Sequence, residues 1–209
     1  MKFSCHPEVS IILPTFNRAM HLERAIDSVI TQTFTDWELL IVDDGSSDHT
    51  FTVIEPFITA HPNIRYMKHS NRKAAFSRNA GMQASFGRYL TFLDSDDHYL
   101  PEHLASRILL IEEGNGYDLL AGGIQTSQPV FVKDCRDLNR MIALEECIVC
   151  GTLFGRRQMF FAVGGFNDMV YAEDTDLWER ASTRFRVRKI TEPPSYVYER
   201  APDSITLNY

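Results

Sequence analysis

Short apolar runs alternate with amphipathic stretches along the first half of the chain. Residues 9–13, 37–42 and 64–67 have the length and composition of buried strands. Between them, apolar residues recur at helical spacing, as in the stretch that begins at Leu22. A helix over residues 74–86 leads into a fourth apolar run. Strands that alternate with helices predict right-handed crossovers and a mainly parallel sheet flanked by helices.

The second half of the chain has a less regular pattern, which predicts shorter elements. They are helices over residues 104–113 and 138–143, strands over 117–122, 130–132 and 148–154, and a helix that begins at Glu173. With 209 residues the chain is long enough for one good core, so we predict a single domain.

Composition is that of an ordinary globular protein, with 44% hydrophobic and 23% charged residues. The formal net charge of -7 argues against a nucleic-acid partner, which would favour a basic surface. No apolar run approaches the roughly 20 residues of a membrane span, and the first residues lack the apolar core of a signal peptide. A cytoplasmic location is therefore expected.

Cysteine spacing offers one candidate metal or redox motif. The four cysteines are Cys5, Cys135, Cys147 and Cys150, and the last two form a Cys-x-x-Cys. No second pair or nearby histidine completes a zinc site. Buried free thiols are preferred over zinc and over a redox pair.

The fourth apolar run ends in Asp94, Ser95, Asp96 and Asp97. Clustered like charges cost free energy unless a cation or water relieves them, so this loop suggests a hard divalent metal. Asp94 and Asp96 would share one face if the strand continued through them. Mg²⁺ and Mn²⁺ usually take one or two carboxylates and complete their shells with water and phosphate oxygens. The alternative is a solvated loop that caps the helix near Pro101, and the residues leave both interpretations open.

A second acidic loop, Asp43 to Ser46, follows the second strand. Ligands bind to mainly parallel sheets at the carboxyl ends of the strands. The loops after the first, second and fourth strands should therefore share one crevice. From the residues alone, Asp43 and Asp44 could equally form a turn and a helix cap as bind a ligand. Asp48 is a candidate cap for the next helix.

Six segments in order resemble family 2 glycosyltransferases with the GT-A fold. They are residues 10–18 (SIILPTFNR), 43–46 (DDGS), 77–81 (SRNAG), 92–97 (FLDSDD), 164–166 (GGF) and 173–174 (ED). The resemblance implies an α/β fold with a Rossmann-like, mainly parallel central sheet. Within the single domain 1–209 it implies a nucleotide-binding half over about 1–97 and a smaller acceptor and catalytic half over about 98–209.

The resemblance also implies an inverting, metal-dependent transfer from a nucleotide-diphosphate sugar to a hydroxyl of a glycan or lipid-linked acceptor. A UDP-sugar is the first choice of donor, with GDP- and dTDP-sugars left open. The residues implied on the donor side are Pro14, Thr15, Phe16, Asp43, Asp44, Arg78, Asp94 and Ser95. Among them Asp44, ahead of Asp43, would recognise the base. Without the resemblance, Arg78 would read as a surface charge on a helix.

Metal and base roles come from the same resemblance. Asp96 would be the principal ligand of Mn²⁺ or Mg²⁺, Asp94 would face the ribose or the metal, and Asp97 would order the loop. Asp174 would be the catalytic base, with Glu173 beside it. The residues alone favour another interpretation of Glu173 and Asp174, as charges that interact with a helix N-terminus.

Two departures from the family pattern stand out. Arg72 and Lys73 occupy positions where relatives often have glycines, so this loop is expected to be ordered differently. A histidine common in the family's downstream region is missing, and Glu199 or Arg200 would substitute for it. Two competing functions are a sugar-nucleotide pyrophosphorylase and a degenerate nucleotide-sugar-binding protein without turnover.

A lipid-linked acceptor would bring the enzyme to the cytoplasmic face of the membrane as a peripheral protein. Arg184, Arg186, Arg188 and Lys189 would assist there. Alternating charges on a strand are more often a solvated face.

Overall fold

A computed structural model describes residues 6–113 and 116–199 of the chain. Within these residues the helices are α1 (Ala19–Ile30), α2 (Thr50–Ala60), α3 (Lys73–Ala84), α4 (His103–Ile111), α5 (Arg157–Ala162) and α6 (Glu173–Ser182). The strands are β1 (Val9–Thr15), β2 (Trp37–Asp43), β3 (Ile64–Lys68), β4 (Tyr89–Phe92), β5 (His98–Tyr99), β6 (Leu119–Gly122), β7 (Ile124–Thr126), β8 (Phe131–Asp134), β9 (Asp137–Ala143), β10 (Phe154–Arg156), β11 (Val187–Ile190) and β12 (Tyr196–Tyr198).

The central sheet has the strand order β11-β6-β10-β4-β1-β2-β3. β10 runs antiparallel to both of its neighbours, and the other described pairings in this sheet are parallel. The carboxyl ends of β1, β2 and β4 therefore meet at one edge, as the sequence predicts. A mainly parallel sheet flanked by helices is confirmed.

Two apolar cores lie on opposite faces of the sheet. Side chains alternate along β1, so that Ile11 packs in one core and Ile12 in the other. Helices α1, α2 and α4 cover the face of Ile11, and α3, α5 and α6 cover the face of Ile12. A close approach fixes α3 on β1, since a Cβ at Gly81 would lie 2.5 Å from Ile12 Cγ2. The loops that follow β1, β2 and β4 thus project from a support of three packed layers.

The predicted helix over residues 138–143 is wrong, because this segment forms β9. It pairs antiparallel with β8, with Phe131 opposite Ala143 and Val132 opposite Ile142. Pairing with β8 satisfies the backbone N–H and C=O groups of this segment, whose local pattern is ambiguous. Such pairing overrides a weak helix propensity.

The predicted central strand over residues 148–154 is displaced along the chain. Residues Cys150–Thr152 form a 3₁₀ turn, and the central strand is β10, which begins only at Phe154. The turn is fixed from outside the segment, because the Cys150 N–H donates to the Asp174 carboxylate at 3.0 Å. The strand's position between β6 and β4 is nevertheless central.

Two smaller sheets flank the central one. One has the order β5-β12-β7, and the other is the β8–β9 hairpin. Among the described residues, no helix combines the length and apolar character that crossing a bilayer requires.

Candidate active site

One cleft of about 1040 Å³ opens at the carboxyl ends of β1, β2 and β4. Residues from both halves of the chain line it. The predicted site residues that do so are Pro14, Thr15, Phe16, Asp44, Arg78, Asp94, Ser95, Asp96 and Asp174. Of the residues predicted to bind the donor, hold the metal or act as the base, all but Asp43 line this cleft.

Asp43 is fully buried beneath the cleft. Its carboxylate accepts hydrogen bonds from the Ser46 N–H at 2.7 Å and the Tyr66 hydroxyl at 2.7 Å. Burial opposes ionisation, but these hydrogen bonds hold the pKa of Asp43 below its ordinary value. Asp43 therefore orders the loop beneath the cleft instead of lining it.

Asp44 lines the cleft and also accepts hydrogen bonds at the start of a helix. Its two carboxylate oxygens accept the backbone N–H groups of Arg72 at 2.7 Å and Lys73 at 2.8 Å, at the start of α3. Lys73 has a φ of 70°, in the left-handed region that favours glycine. This backbone geometry is what a glycine would supply, although the sequence has Lys73 there. Asp44 stabilises the strained turn by satisfying its N–H groups.

The first loop supplies an aromatic and a hydroxyl group to the cleft. Phe16 is 45% exposed at the rim, a large apolar surface left open to solvent. The Thr15 hydroxyl is buried and, among the described residues, has no hydrogen-bond partner. Buried polar groups normally have partners, so an unsatisfied hydroxyl beside a cleft suggests that a ligand completes it.

Arg78 connects the two halves of the site. Its guanidinium donates to Asp94 Oδ1 at 2.9 Å and to Glu173 Oε1 at 2.6 Å. Arg78 is only 6% exposed, so it is not the surface charge that its position on a helix suggests. Charge-assisted bonds of this kind fix both carboxylates at the cleft wall.

Asp94, Ser95, Asp96 and Asp97 form the acidic loop. Burial raises the pKa of Asp96, and the charge of Asp94 adds to the rise. In the described residues no three potential ligand side chains come together as a complete metal site. Two crowded carboxylates in an open cleft nevertheless fit Mg²⁺ or Mn²⁺, which keep water and substrate phosphates as their other ligands.

Asp174 lies across the cleft, in the first turn of α6. Its carboxylate accepts the N–H of Cys150 at 3.0 Å and that of Thr175 at 2.7 Å. Burial raises the pKa of Asp174 to about 7, and the neighbouring charge of Glu173 adds to the rise. Ala172, which immediately precedes α6, has a φ of 63°. This left-handed conformation is unusual for alanine, and such strained residues recur at functional sites.

The sequence does not predict part of the cleft wall. The β8–β9 hairpin supplies Lys133 and Arg140, and α6 supplies Trp178 and Ser182. The last two could have been found, because they follow Asp174 by four and eight positions on one helix face. Lys133 and Arg140 could not have been found, because their place in the cleft depends on the pairing of β8 with β9. The local pattern of residues 138–143 favours a helix and does not indicate this pairing.

The substitutes proposed for the missing histidine do not reach the cleft in the described residues. Glu199 Oε1 pairs instead with Arg24 at 3.4 Å, and its side chain does not line the cavity. Arg200 lies outside the described residues. Cys135, Cys147 and Cys150 are free thiols. The predicted burial holds for Cys150, but Cys147 is only partly buried and Cys135 is exposed. Cys5 lies outside the described residues.

The fold is an α/β fold with its cleft at the carboxyl edge of a mainly parallel sheet, where proteins of this class bind their ligands. The sequence profile described as Glycosyl transferase family 2 matches residues 10–164. Since this match covers most of the chain, the chain belongs to that family.

Individual relatives agree with this assignment. The uncharacterized glycosyltransferase EpsJ of Bacillus subtilis is 26% identical over 96% of the chain and 63% of its own length. A Campylobacter jejuni protein named GalNAc(5)-diNAcBac-PP-undecaprenol beta-1,3-glucosyltransferase is 37% identical over 52% of the chain and 36% of its own length.

Solved structures share the fold. S. aureus TarS 1-349 in complex with UDP-GlcNAc has a TM-score of 0.80 at 20% identity, over 97% of this chain and 61% of that one. The mannosyltransferase PcManGT of Pyrobaculum calidifontis, in complex with GDP-Man and Mn²⁺, has a TM-score of 0.75 at 19% identity, over 97% and 59%. The predicted GT-A type of fold is confirmed. The chain spans less than two thirds of each of these four relatives.

Proposed function

We propose that the chain is an inverting, metal-dependent glycosyltransferase that moves a sugar from a nucleotide-diphosphate donor to a hydroxyl of a glycan or lipid-linked acceptor. One observation carries the proposal: a single cleft holds the acidic loop, Arg78 and a carboxylate with a near-neutral pKa, Asp174. The donor is a UDP-sugar in the first instance, which the UDP-GlcNAc complex of the TarS structure supports.

On the donor side, Phe16 and Thr15 offer an aromatic face and an unsatisfied hydroxyl to the nucleoside. Asp44 accepts an N–H of the base with a carboxylate that is already oriented by two backbone donors. A cation held by Asp94 and Asp96 would neutralise the charge that develops on the departing diphosphate. The Mn²⁺ complex of PcManGT supports such a cation.

On the acceptor side, Asp174 takes the proton of the attacking hydroxyl. The acceptor oxygen forms its bond to the anomeric carbon while the bond to the diphosphate breaks on the opposite face, so the configuration inverts. A base works best when its pKa lies near the working pH, and a value of about 7 meets that condition. The name of the C. jejuni relative supports a lipid-linked acceptor, which would bring the chain to the cytoplasmic membrane face.

The competing pyrophosphorylase function is less well supported. Pro14, Thr15 and Phe16 follow β1, where that class needs a glycine-rich loop with basic residues that bind phosphates. A binding protein without turnover would have no use for a carboxylate of raised pKa such as Asp174 in the cleft.

Incubation with UDP-GlcNAc, Mn²⁺ and a panel of simple glycosides separates the three functions. A glycosyltransferase releases UDP, a pyrophosphorylase exchanges labelled pyrophosphate into the donor, and a binding protein does neither. Calorimetry with UDP and Mn²⁺ then tests the cation site in Asp96→Asn, which should lose the metal-dependent part of the affinity. Metal-dependent UDP affinity in that variant equal to that of the unmodified chain would remove Asp96 from the site.

A further inference from the structure

One tyrosine hydroxyl contacts both ends of the acidic loop. Tyr196, on β12, is fully buried, and its Oη donates to Asp97 Oδ2 at 2.5 Å. The same oxygen accepts the backbone N–H of Asp94 at 3.4 Å. A residue that is 99 positions away in sequence from Asp97 therefore lies inside the bend that carries Asp94 and Asp96.

Asp97 depends on this region for its hydrogen bonds. It is 1% exposed, and its other carboxylate oxygen accepts the Glu199 N–H, just beyond β12, at 2.8 Å. Burial raises the pKa of Asp97 well above its ordinary value, and the charges of Asp94 and Asp96 add to the rise. A buried carboxylate beside two others is stable in one position only if donors satisfy it.

The rest of the C-terminal strand region fixes the same loop. β12 pairs antiparallel with β5, with Tyr196 opposite Tyr99, directly after the acidic loop. On the other side of the Tyr196 ring a Cβ at Gly151 would collide with the hydroxyl, so the ring end has no room to move that way. Arg24 donates to the Asp96 carbonyl at 2.5 Å and pairs with Glu199.

We propose that Tyr196 is a positioning residue that sets the acidic loop for a divalent cation. This inference rests on the proposed function, in which Asp94 and Asp96 hold the cation. Without the hydroxyl, Asp97 loses its bond to β12 and the Asp94 backbone loses a contact, so the crowded carboxylates move apart. Groups that orient metal ligands typically contribute about 10- to 100-fold to metal affinity.

The test compares Tyr196→Phe with Tyr99→Phe. Both substitutions remove one buried hydroxyl from neighbouring rings, whose centroids lie 5.8 Å apart. The Tyr99 hydroxyl, however, donates to the Phe92 carbonyl in β4 and not to the acidic loop. Mn²⁺ affinity is measured by electron paramagnetic resonance at saturating UDP, UDP affinity in EDTA by calorimetry, and stability by melting.

Tyr196→Phe should bind Mn²⁺ about 10- to 100-fold more weakly, with UDP affinity in EDTA unchanged. Tyr99→Phe should keep the Mn²⁺ affinity of the unmodified chain, even if it melts earlier. Asp97→Asn keeps the shape of the side chain and weakens the same contact, so it should weaken Mn²⁺ binding as well. The double variant Tyr196→Phe/Asp97→Asn should lose less than the sum of the two single losses, because the residues act as one unit.

Unchanged Mn²⁺ affinity in Tyr196→Phe would overturn the inference and leave the proposed function standing. If Tyr196→Phe does not fold, unchanged affinity in Asp97→Asn has the same meaning. Equal losses in Tyr196→Phe and Tyr99→Phe would reduce the effect to general core packing and also overturn it. If the unmodified chain binds no Mn²⁺ with UDP, the cation site of the proposed function fails, and the inference fails with it.

Discussion

Asp174 is the residue on which the chemistry of the proposal depends, and its surroundings set its protonation state. Burial and the charge of Glu173 raise its pKa to about 7. Since a base must be deprotonated to accept a proton, transfer should rise with pH as this carboxyl ionises near pH 7. Above that pH the rate should level off unless another group intervenes.

Asp174→Asn should lower transfer by about 10² to 10⁴ and remove the rise near pH 7, because an amide does not take the acceptor proton. The measurement is UDP release at saturating donor over a pH series, with donor affinity as a second readout. Asp176→Asn is the matched control, because Asp176 lies on the same helix but bonds to Arg180 and Asn167. Near-normal turnover in folded Asp174→Asn would refute the assignment.

The same pKa makes a prediction for stability. The native carboxyl of Asp174 has a pKa of about 7, above its value of about 4 in an unfolded chain. The native state therefore binds the proton more tightly, and the associated stability is lost as pH rises from about 4 to about 7. Asp174→Asn has no such loss. The melting temperature of Asp174→Asn minus that of the unmodified chain should therefore increase as the pH rises over this range. A constant difference would contradict the raised pKa.

Lys73 shows backbone strain at a single residue. Its φ of 70° costs a side-chain-bearing residue about 1 to 2 kcal/mol, which glycine avoids at a loss of about 0.5 to 1 kcal/mol in chain entropy. Lys73→Gly should therefore keep the stability of the unmodified chain or raise it by up to about 1.5 kcal/mol. Ala74→Gly, one residue further into α3, should instead lose about 1 kcal/mol. Denaturant unfolding measures both, and a large loss in Lys73→Gly would contradict the account.

At the scale of elements, two aspartates from loops stabilise the starts of two helices. Asp44 accepts N–H groups at the start of α3, and Asp48 accepts the Thr50 N–H at the start of α2 at 3.0 Å. Only Asp44 also lines the cleft. The cap and the base-recognition interpretations of Asp44 are thus compatible in one side chain.

Asp44→Ala and Asp48→Ala should each lose about 0.5 to 2 kcal/mol of stability, the usual contribution of a cap. Asp44→Ala should also bind UDP about tenfold more weakly or worse, with or without Mn²⁺, because a charge-assisted bond of about 1.5 to 3 kcal/mol is removed. Asp48→Ala should bind UDP normally. Calorimetry and melting decide, and equal UDP affinity in the two variants would make Asp44 a turn residue alone.

Local pattern predicted those elements that their own residues determine. β1, α1, β2 and β3 follow from apolar runs and helical spacing, and their order implies the edge where the acidic loops meet. β9 and the turn Cys150–Thr152 do not, because partners outside each segment determine them. The partner of β9 is β8, the preceding strand of its hairpin, and the partner of the turn is Asp174, 24 positions further along the chain. The positive φ of Lys73 and Ala172 is equally hidden, since neither residue type indicates it.

At the scale of the whole molecule, Arg78 joins the half of the chain proposed to bind the nucleotide to the half proposed to carry the catalytic base. Sequence resemblance assigned it to the nucleotide side, yet its partner Glu173 lies 95 positions away and only the folded chain shows the contact. Tyr196 was missed for the same reason. Long-range polar contacts of this kind leave no periodic signal in a sequence.

Arg78→Ala should lower stability by about 1 to 3 kcal/mol, because it leaves Asp94 and Glu173 without their partner. The loss should stay below the 3 to 5 kcal/mol of fully buried pairs, since both carboxylates keep some contact with solvent. The matched control is Arg88→Ala, whose side chain is 54% exposed and also bridges two carboxylates, Glu8 and Glu112. It should cost at most about 1 kcal/mol. Denaturant unfolding compares them, and equal losses would deny Arg78 its joining role.

The measurement that tests the central claim most directly is proton NMR of the anomeric signals while the chain turns over α-linked UDP-GlcNAc with Mn²⁺ and a panel of glycosides. We expect UDP and a β-linked product to appear together, EDTA to stop the formation of both, and Asp174→Asn to form neither at a comparable rate. An α-linked product, or turnover that continues in EDTA, would contradict an inverting, metal-dependent glycosyltransferase.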